Sequence, residues 1–343
     1  MPRLGNTRNC NNVMQDLSNK YILISRTDGI GDVILTLPLA GELKRLFPTC
    51  TIGFLGRTYT QDVVACCEHV DHFLNWDTVS EGSLNDQVRL LKSRKPDAIF
   101  HVFPRKQVVI AAAAAKIPMR IGTARRMHSF MKMTHKLWYS RKDAGQHEAV
   151  LNLRMLEALK STDSYSEDQI PPLYGFKTKP IMNGAALELL QQPFKIILHP
   201  MSHGSAVEWG LENFAKLIDE LEGKGVTIGV TGTEKERNAI GNKLPWNNVV
   251  DLGGKLTLAQ LVATIGASNG LVAASTGPLH IAAAAGTNAL GLYSPKKPIF
   301  PTRWKPLGEK ASFLVSPSHP EDGILSIQVE EVAERILEWK ANF

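Results

Sequence analysis

Tyr21 to Pro48 reads YILISRTDGIGDVILTLPLAGELKRLFP. Its first five residues, YILIS, carry no charge, the pattern of a strand buried on both faces. Gly29 and Gly31 punctuate the turn that follows, and a helical pattern then runs over 32–47 until Pro48 stops it. A strand, a glycine-containing turn and a helix in that order are also the setting of a dinucleotide fingerprint. Here GxG is followed by Asp32 and the third glycine is missing. An acid at that mouth repels a pyrophosphate, because it already occupies the place where a helix N-terminus attracts an anion.

The alternation continues outward. Strands are expected at 51–55, 98–102 and 120–122, with helical patterns near 60–67, 84–94, 106–115 and 147–160. Residues 161–193 lose the pattern and are punctuated by Pro and Gly, which places a linker there. Strands are expected again at 195–199, 226–231, 249–252, 270–273 and 289–293, separated by helices at 211–221, 234–243, 257–266 and 277–285. A final helix at 327–339 repeats apolar residues at Val329, Val332, Ala333, Ile336 and Leu337. The chain therefore reads as α/β, with two doubly wound Rossmann-like domains facing a central cleft. The expected boundaries are an unstructured arm over 1–20, an N-terminal domain over 21–175, a C-terminal domain over 176–326 and the last helix over 327–343.

With 343 residues, 43% hydrophobic and 21% charged, the composition is that of a globular protein and excludes collagen-like, coiled-coil and disordered classes. No apolar run approaches the ~18–20 residues of a membrane span, and the N-terminus lacks the apolar core of a secretory signal. Cys10, Cys50, Cys66 and Cys67 form no disulfide framework, which suits a reducing cytoplasm. The net charge of +6 is uneven. Residues 89–142 hold 14 basic residues against the single acid Asp97. That block favours an anionic partner, and no nucleic-acid recognition signature accompanies it.

Three turns carry candidate chemistry. Asp32 either caps its helix or faces the cleft as a general base, with Asp28 as its rival. The loop from His199 to Trp209, HPMSHGSAVEW, offers backbone N–H groups and the hydroxyls of Ser202 and Ser205 to a phosphate, with Gly204 between them. His199 and His203 lack the acidic or Cys partners of a metal site. The stretch ASTGPLH at 274–280 ends a strand and opens a helix, so Ser275, Thr276 and Gly277 either cap it or hold an anion. In the Pro-rich loop beyond 293, Lys296, Lys297 and Arg303 are possible diphosphate cations.

Taken together, these segments resemble glycosyltransferase family 9, the bacterial heptosyltransferases of lipopolysaccharide core synthesis. RTDGIGDVILTLPLAGELKRLFP is similar to the family's N-terminal segment, HPMSHGSAVEWGLENFAKLI to its donor-phosphate loop, ASTGPLHIAAAAGTNALGLYSP to its TG-x-x-H helix and RWKPLG to a downstream segment. The similarity spans 21 to about 310, and four motifs in the right order are specific for the family. It implies a GT-B fold and an inverting, metal-independent transfer without a cofactor, typically of heptose from ADP-heptose to a lipid A-linked core sugar. It makes Asp32 the base. Ser202, Gly204, Ser205, Ser275, Thr276, Gly277 and His280 become donor ligands, with Glu234 near the nucleoside. It also implies that the last helix packs back on the N-terminal domain.

The basic block then fits an anionic lipid-linked acceptor, with Arg105, Lys106, Arg120, Arg125 and Arg126 as contacts, at the cytoplasmic face of the inner membrane and in peripheral contact with it. Two positions depart from the family pattern. Val207 stands where many members carry a cation, and Ser275 where several carry Asp. Another nucleotide-sugar donor, an epimerase on the same fold and a binding-only relative therefore remain as alternatives.

Overall fold

The uncharged runs become the inner strands of two parallel sheets. The computed structural model describes residues 14–125, 127–141, 145–180, 184–202, 204, 206–295, 300–317 and 323–343. In the N-terminal half β1 (Tyr21–Ser25), β2 (Thr51–Gly56), β3 (His72–Asn75), β4 (Ala98–His101), β5 (Met119–Thr123) and β6 (His135–Leu137) lie in the order β3-β2-β1-β4-β5-β6. In the C-terminal half β7 (Lys195–His199), β8 (Thr227–Val230), β9 (Val250–Asp251), β10 (Gly270–Ala274), β11 (Asn288–Tyr293) and β12 (Ala311–Val315) lie in the order β12-β11-β10-β7-β8-β9. Read in chain order within each half, the two arrangements are the same. The direction of winding reverses between β1 and β4 in one sheet and between β7 and β10 in the other, and ligands of such sheets bind outside the carboxyl ends at that reversal.

The register explains the buried runs. Ile24 lies between Phe54 and Phe100 on its two neighbours, and Val272 between Leu290 and Leu198. Parallel strands covered by helices on both faces bury every side chain, so apolar residues need not alternate.

The helix expected over 32–47 is two helices, Ile30–Ile34 and Leu37–Leu46. Pro38 has no N–H to give Ile34 and disfavours helical geometry in the residue before it. The Leu35 carbonyl left over by the break accepts from Asn152 Nδ2 at 2.7 Å. The break keeps Asp32 in a short helix aimed at the second domain.

That short helix packs directly on the helix Gly277–Ala284. A Cβ on Gly31 would stand 2.9 Å from His280 Cδ2, and one on Gly277 would stand 3.0 Å from Ile30 Cβ. The second glycine of the GxG turn therefore serves a close crossing between the domains. One apolar cluster runs from Ile22 and Ile34 through Leu279 and Ile281, so the two cores are continuous across the boundary.

Two expectations are corrected. The last helix, Val329–Ala341, does not cross to the N-terminal domain: it packs on Leu211–Leu221, placing Val332, Ala333 and Ile336 in a second cluster with Phe214, Leu217 and Leu221. Its apolar stripe matches a face within its own domain. The expected arm over 1–20 is anchored at its end. Leu17 is 2% exposed and the Gln15 N–H donates to the Leu159 carbonyl at 2.9 Å, while residues 1–13 lie outside the described residues.

Candidate active site

The turn after β1 is held by a buried ionic cluster. Arg26 extends its guanidinium, 4% exposed, toward three carboxylates: Nε lies 3.0 Å from Asp28, Nη1 donates to Glu148 at 3.3 Å and Nη2 to Asp32. Glu148, 1% exposed, also accepts from Arg141, and from Arg303 of the second domain at 3.1 Å. Arg105 closes the outer end on Asp28. Four cations thus meet three carboxylates, an arrangement that satisfies charges burial would otherwise penalise heavily.

The cluster divides the carboxylates by environment. Burial works against charge on Glu148, but Arg141, Arg26 and Arg303 outweigh it and hold its carboxyl below the usual glutamate range. Burial pushes the Asp32 carboxyl up, and Glu148 and Asp28 push the same way against the pull of Arg26. A carboxylate raised in this way accepts a proton more readily than an exposed aspartate does.

Asp32 lines a cavity of about 780 Å³ between the carboxyl ends of the two sheets. Gly29, Ile30, Gly31 and Tyr59 surround it on the N-terminal side, and Asp28 is not in the lining. Tyr59 donates its hydroxyl to the Asp28 carbonyl at 2.6 Å. The second domain contributes Ser275, Thr276, Gly277 and His280 to the same lining, next to the Gly29–Asp32 turn. Thr276 is the N-cap of its helix but makes no capping bond, and its buried hydroxyl has no hydrogen-bond partner among the described residues. That unused hydroxyl and the free N–H groups of the helix's first turn offer an anion site.

His280 is fully buried and held neutral. Burial, then the nearby His147, carries its pKa down to about 3. Arg303 and Trp304 close one end, and Leu252, Leu256, Leu258 and Leu261 form an apolar wall beside Thr233 and Glu236. Among the described residues no three His, Cys, Asp or Glu side chains converge as a metal group would need.

The other expected residues fall in different places. Ser202 lines the cavity, yet its N–H and hydroxyl both reach Glu208, at 2.7 and 2.9 Å, so it also ties its own loop together. Gly204 is exposed and outside the lining, and Ser205 lies outside the described residues. Glu234 is exposed and outside the lining, and the acid that the same helix brings to the lining is Glu236, which accepts from the Thr233 N–H at 2.6 Å in a capping box. The sequence held that signal, since T-x-x-E marks a helix start whose fourth residue folds back.

Val207 packs against the second apolar cluster and meets Gly323, away from the cavity, whereas Arg303 is in the lining. Lys296, Lys297 and Arg126 lie outside the described residues. None of Arg105, Lys106, Arg120 and Arg125 lines the cavity. Arg105, Lys106 and Arg125 are exposed, while Arg120 donates to the carbonyls of Lys132 at 2.7 Å and Ile117 at 2.5 Å. Glu148 and Arg141 escaped the sequence reading because Glu148 meets Arg26 and Arg303 at separations of 122 and 155 residues.

The model of glycosyltransferase family 9 (heptosyltransferase) matches residues 91–324. The chain belongs to that family. This glycosyltransferase is 22% identical over 292 residues to lipopolysaccharide heptosyltransferase 3 of Escherichia coli K12, covering 81% of this chain and 83% of that one. Among solved structures, the family 9 glycosyl transferase of Veillonella parvula superposes with a TM-score of 0.75 at 20% identity, over 95% of this chain and 99% of that one. The ADP-heptose lipopolysaccharide heptosyltransferase II of Escherichia coli superposes with a TM-score of 0.74 at 17% identity, over 93% and 98%. The two-sheet architecture of this glycosyltransferase is thus the GT-B fold of its family.

Proposed function

We propose that this glycosyltransferase moves heptose from ADP-heptose to a sugar hydroxyl of a lipid-linked lipopolysaccharide core, with inversion and without a metal ion. The observation that carries the reading is that Asp32 and the Ser275–Gly277 turn, one from each domain, line one cavity side by side. One turn offers a base and the other an anion site, which is what a single displacement on a nucleotide-diphosphate sugar requires.

In this mechanism the acceptor oxygen bonds to the anomeric carbon while its proton passes to the Asp32 carboxylate. The anomeric carbon–oxygen bond to the diphosphate breaks, and its electron pair leaves on ADP. Attack from the face opposite the leaving group inverts the anomeric centre. Thr276 Oγ1, the Gly277 N–H and the Arg303 guanidinium supply the donors a departing diphosphate needs. The Leu252–Leu261 wall gives a purine an apolar face, and Thr233 with Glu236 offers polar groups to a ribose. The relatives named for ADP-heptose and lipopolysaccharide support heptose as the sugar and the core as acceptor. No helix among the described residues is long and apolar enough to cross a membrane. We place the reaction at the cytoplasmic face of the inner membrane, reached peripherally.

The test is a mass-spectrometric transfer assay with ADP-heptose and a truncated core acceptor, run beside calorimetric titration with ADP. Asp32→Asn is expected to lower turnover by roughly 10²–10⁴-fold and leave ADP binding intact. Donor turnover without acceptor would replace the transferase reading with an epimerase, and ADP binding without any transfer would favour a binding-only relative. If Asp28→Asn abolishes transfer while Asp32→Asn is mild, the base is misassigned.

A further inference from the structure

Eleven large apolar side chains are exposed among the described residues, and four of them fall within twelve positions of each other. Met127 is 80% exposed, Met131 69%, Trp138 66% and Phe130 46%. Scattered exposed apolar residues are ordinary, but a cluster of this kind marks an interaction surface. Phe130 and Trp138 sit with ring centroids 6.1 Å apart, and Lys136 Nζ stands 4.0 Å over the Phe130 ring. Arg125, Lys132 and Lys136, within the same stretch of chain, are exposed as well. No acidic residue occurs between Ala98 and Lys142.

The location is as informative as the composition. The helix Met127–Lys132 begins four residues beyond β5, and Trp138 directly follows β6. In a parallel sheet both points lie at the carboxyl ends of the strands, the same side as the turn that carries Asp32. Three residues beyond Trp138, Arg141 is already bonded to Glu148 in the buried cluster. The exposed surface therefore lies on the same side of the N-terminal sheet as the cavity.

We propose that Met127, Phe130, Met131 and Trp138, with the exposed cations Arg125, Lys132 and Lys136 of the same segment, dock this protein onto a bilayer that presents anionic headgroups. Tryptophan favours the headgroup level, where its ring is half-immersed, and lysines reach past apolar neighbours to anionic lipid. A protein partner would meet the same apolar side chains with matching carboxylates. A bilayer is favoured because methionine and aromatic tips without any acidic residue between them fit a fluid anionic layer. The inference deepens, and for its biological sense rests on, the reading of a lipid-linked acceptor: docking here turns the cavity's side of the N-terminal sheet toward the membrane from which that acceptor projects.

The test needs neither donor nor acceptor, so it stands or falls separately from the transferase reading. The full chain is sedimented with vesicles of phosphatidylcholine alone and of phosphatidylcholine with phosphatidylglycerol. Binding to the anionic vesicles is expected and is salt-sensitive. The double variant Met131→Ser with Trp138→Ser and the double variant Lys132→Glu with Lys136→Glu should each weaken it by about tenfold or more, with unchanged thermal midpoints showing that both still fold. Failure of the wild-type chain to bind anionic vesicles overturns the proposal, as does binding that neither variant weakens. Concentration-dependent self-association of the wild-type chain that the apolar variant abolishes, without vesicle binding, would assign the surface to a second copy instead.

Discussion

The two halves of the molecule share one strand order and use the same local device, a strand followed by a turn and a helix, at facing places in the cleft. They treat charge in opposite ways. The turn after β1 is saturated with paired charge: Arg26 answers Asp28 and Glu148 in the interior and Asp32 at the cavity. The turn after β10 carries no charged side chain, and Thr276 leaves its hydroxyl without a partner among the described residues. One backbone plan therefore yields a turn whose charges are paired within the protein and a turn that, in the proposed mechanism, takes its charge from the donor diphosphate. What separates them is whether the counter-charges are part of the protein or part of the ligand.

The sharpest way to break the contrast is to remove the counter-charge from the saturated side. Arg26→Met takes the paired cation from Asp32 and one cation each from Asp28 and Glu148, leaving them beside an apolar side chain, and the loss should be about 3–5 kcal/mol in denaturant unfolding. The sign of its pH response is diagnostic. With the cation gone, Asp32 and Glu148 are buried without it, their folded pKa values rise, and the folded state takes up protons sooner than the unfolded one. The variant's deficit against wild type should then shrink as the pH falls toward 5. A deficit that does not change with pH would mean that Arg26 acts by packing alone.

The two turns meet across the crossing of Gly31 and His280. Gly31→Ala places a methyl group 2.9 Å from a buried imidazole carbon, closer than such atoms normally approach. A destabilisation of about 1–3 kcal/mol is expected. Because the domain cores are continuous there, the variant should broaden or split a single thermal transition. A variant that unfolds like wild type would show that the ring simply turns aside.

Buried histidines give both halves a common acid sensitivity. Burial, then Arg120, lowers His101 to about 3, and burial lowers His147 to about 4 and His280 to about 3. Each is protonated below about 6.5 in the unfolded chain but only near 3 to 4 in the folded one. Between those values the unfolded state binds more protons, so stability rises with pH and is lost on acidification below about 6.5. Each histidine contributes a slope of about 1.4 kcal/mol per pH unit within that window. His280→Gln should remove one such share from the slope of stability against pH between 6 and 4.5. An unchanged slope would mean that the ring gains a proton partner when folded.

The inner strands were legible because β1, β4, β7 and β10 are buried on both faces and read as uninterrupted apolar runs. β3, β6 and β12 went unread, and all three are sheet edges with one buried residue each. An edge strand shelters on one side only, so its residues need not be apolar. In the site, local chemistry was legible and distant chemistry was not. Asp32 and the 275–277 turn announce themselves by strand–turn–helix context. Glu148 does not, since the arginines that give it meaning arrive from three separate segments.

The smallest effect bears most directly on what the open side is for. A buried hydroxyl without a partner does little for the fold, so Thr276→Val, which keeps the shape and deletes the donor, should change stability by no more than about 0.5 kcal/mol in either direction. If the hydroxyl is held for a ligand phosphate, the same change should weaken ADP binding by about tenfold, the share of one hydrogen bond to a charged group. Calorimetric titration of wild type and variant with ADP and with adenosine separates the two effects. Adenosine, which lacks the diphosphate, should bind both proteins equally. Equal losses for both ligands would place Thr276 at the nucleoside, and no loss for either would return the Ser275–Gly277 turn to the role of a plain helix start.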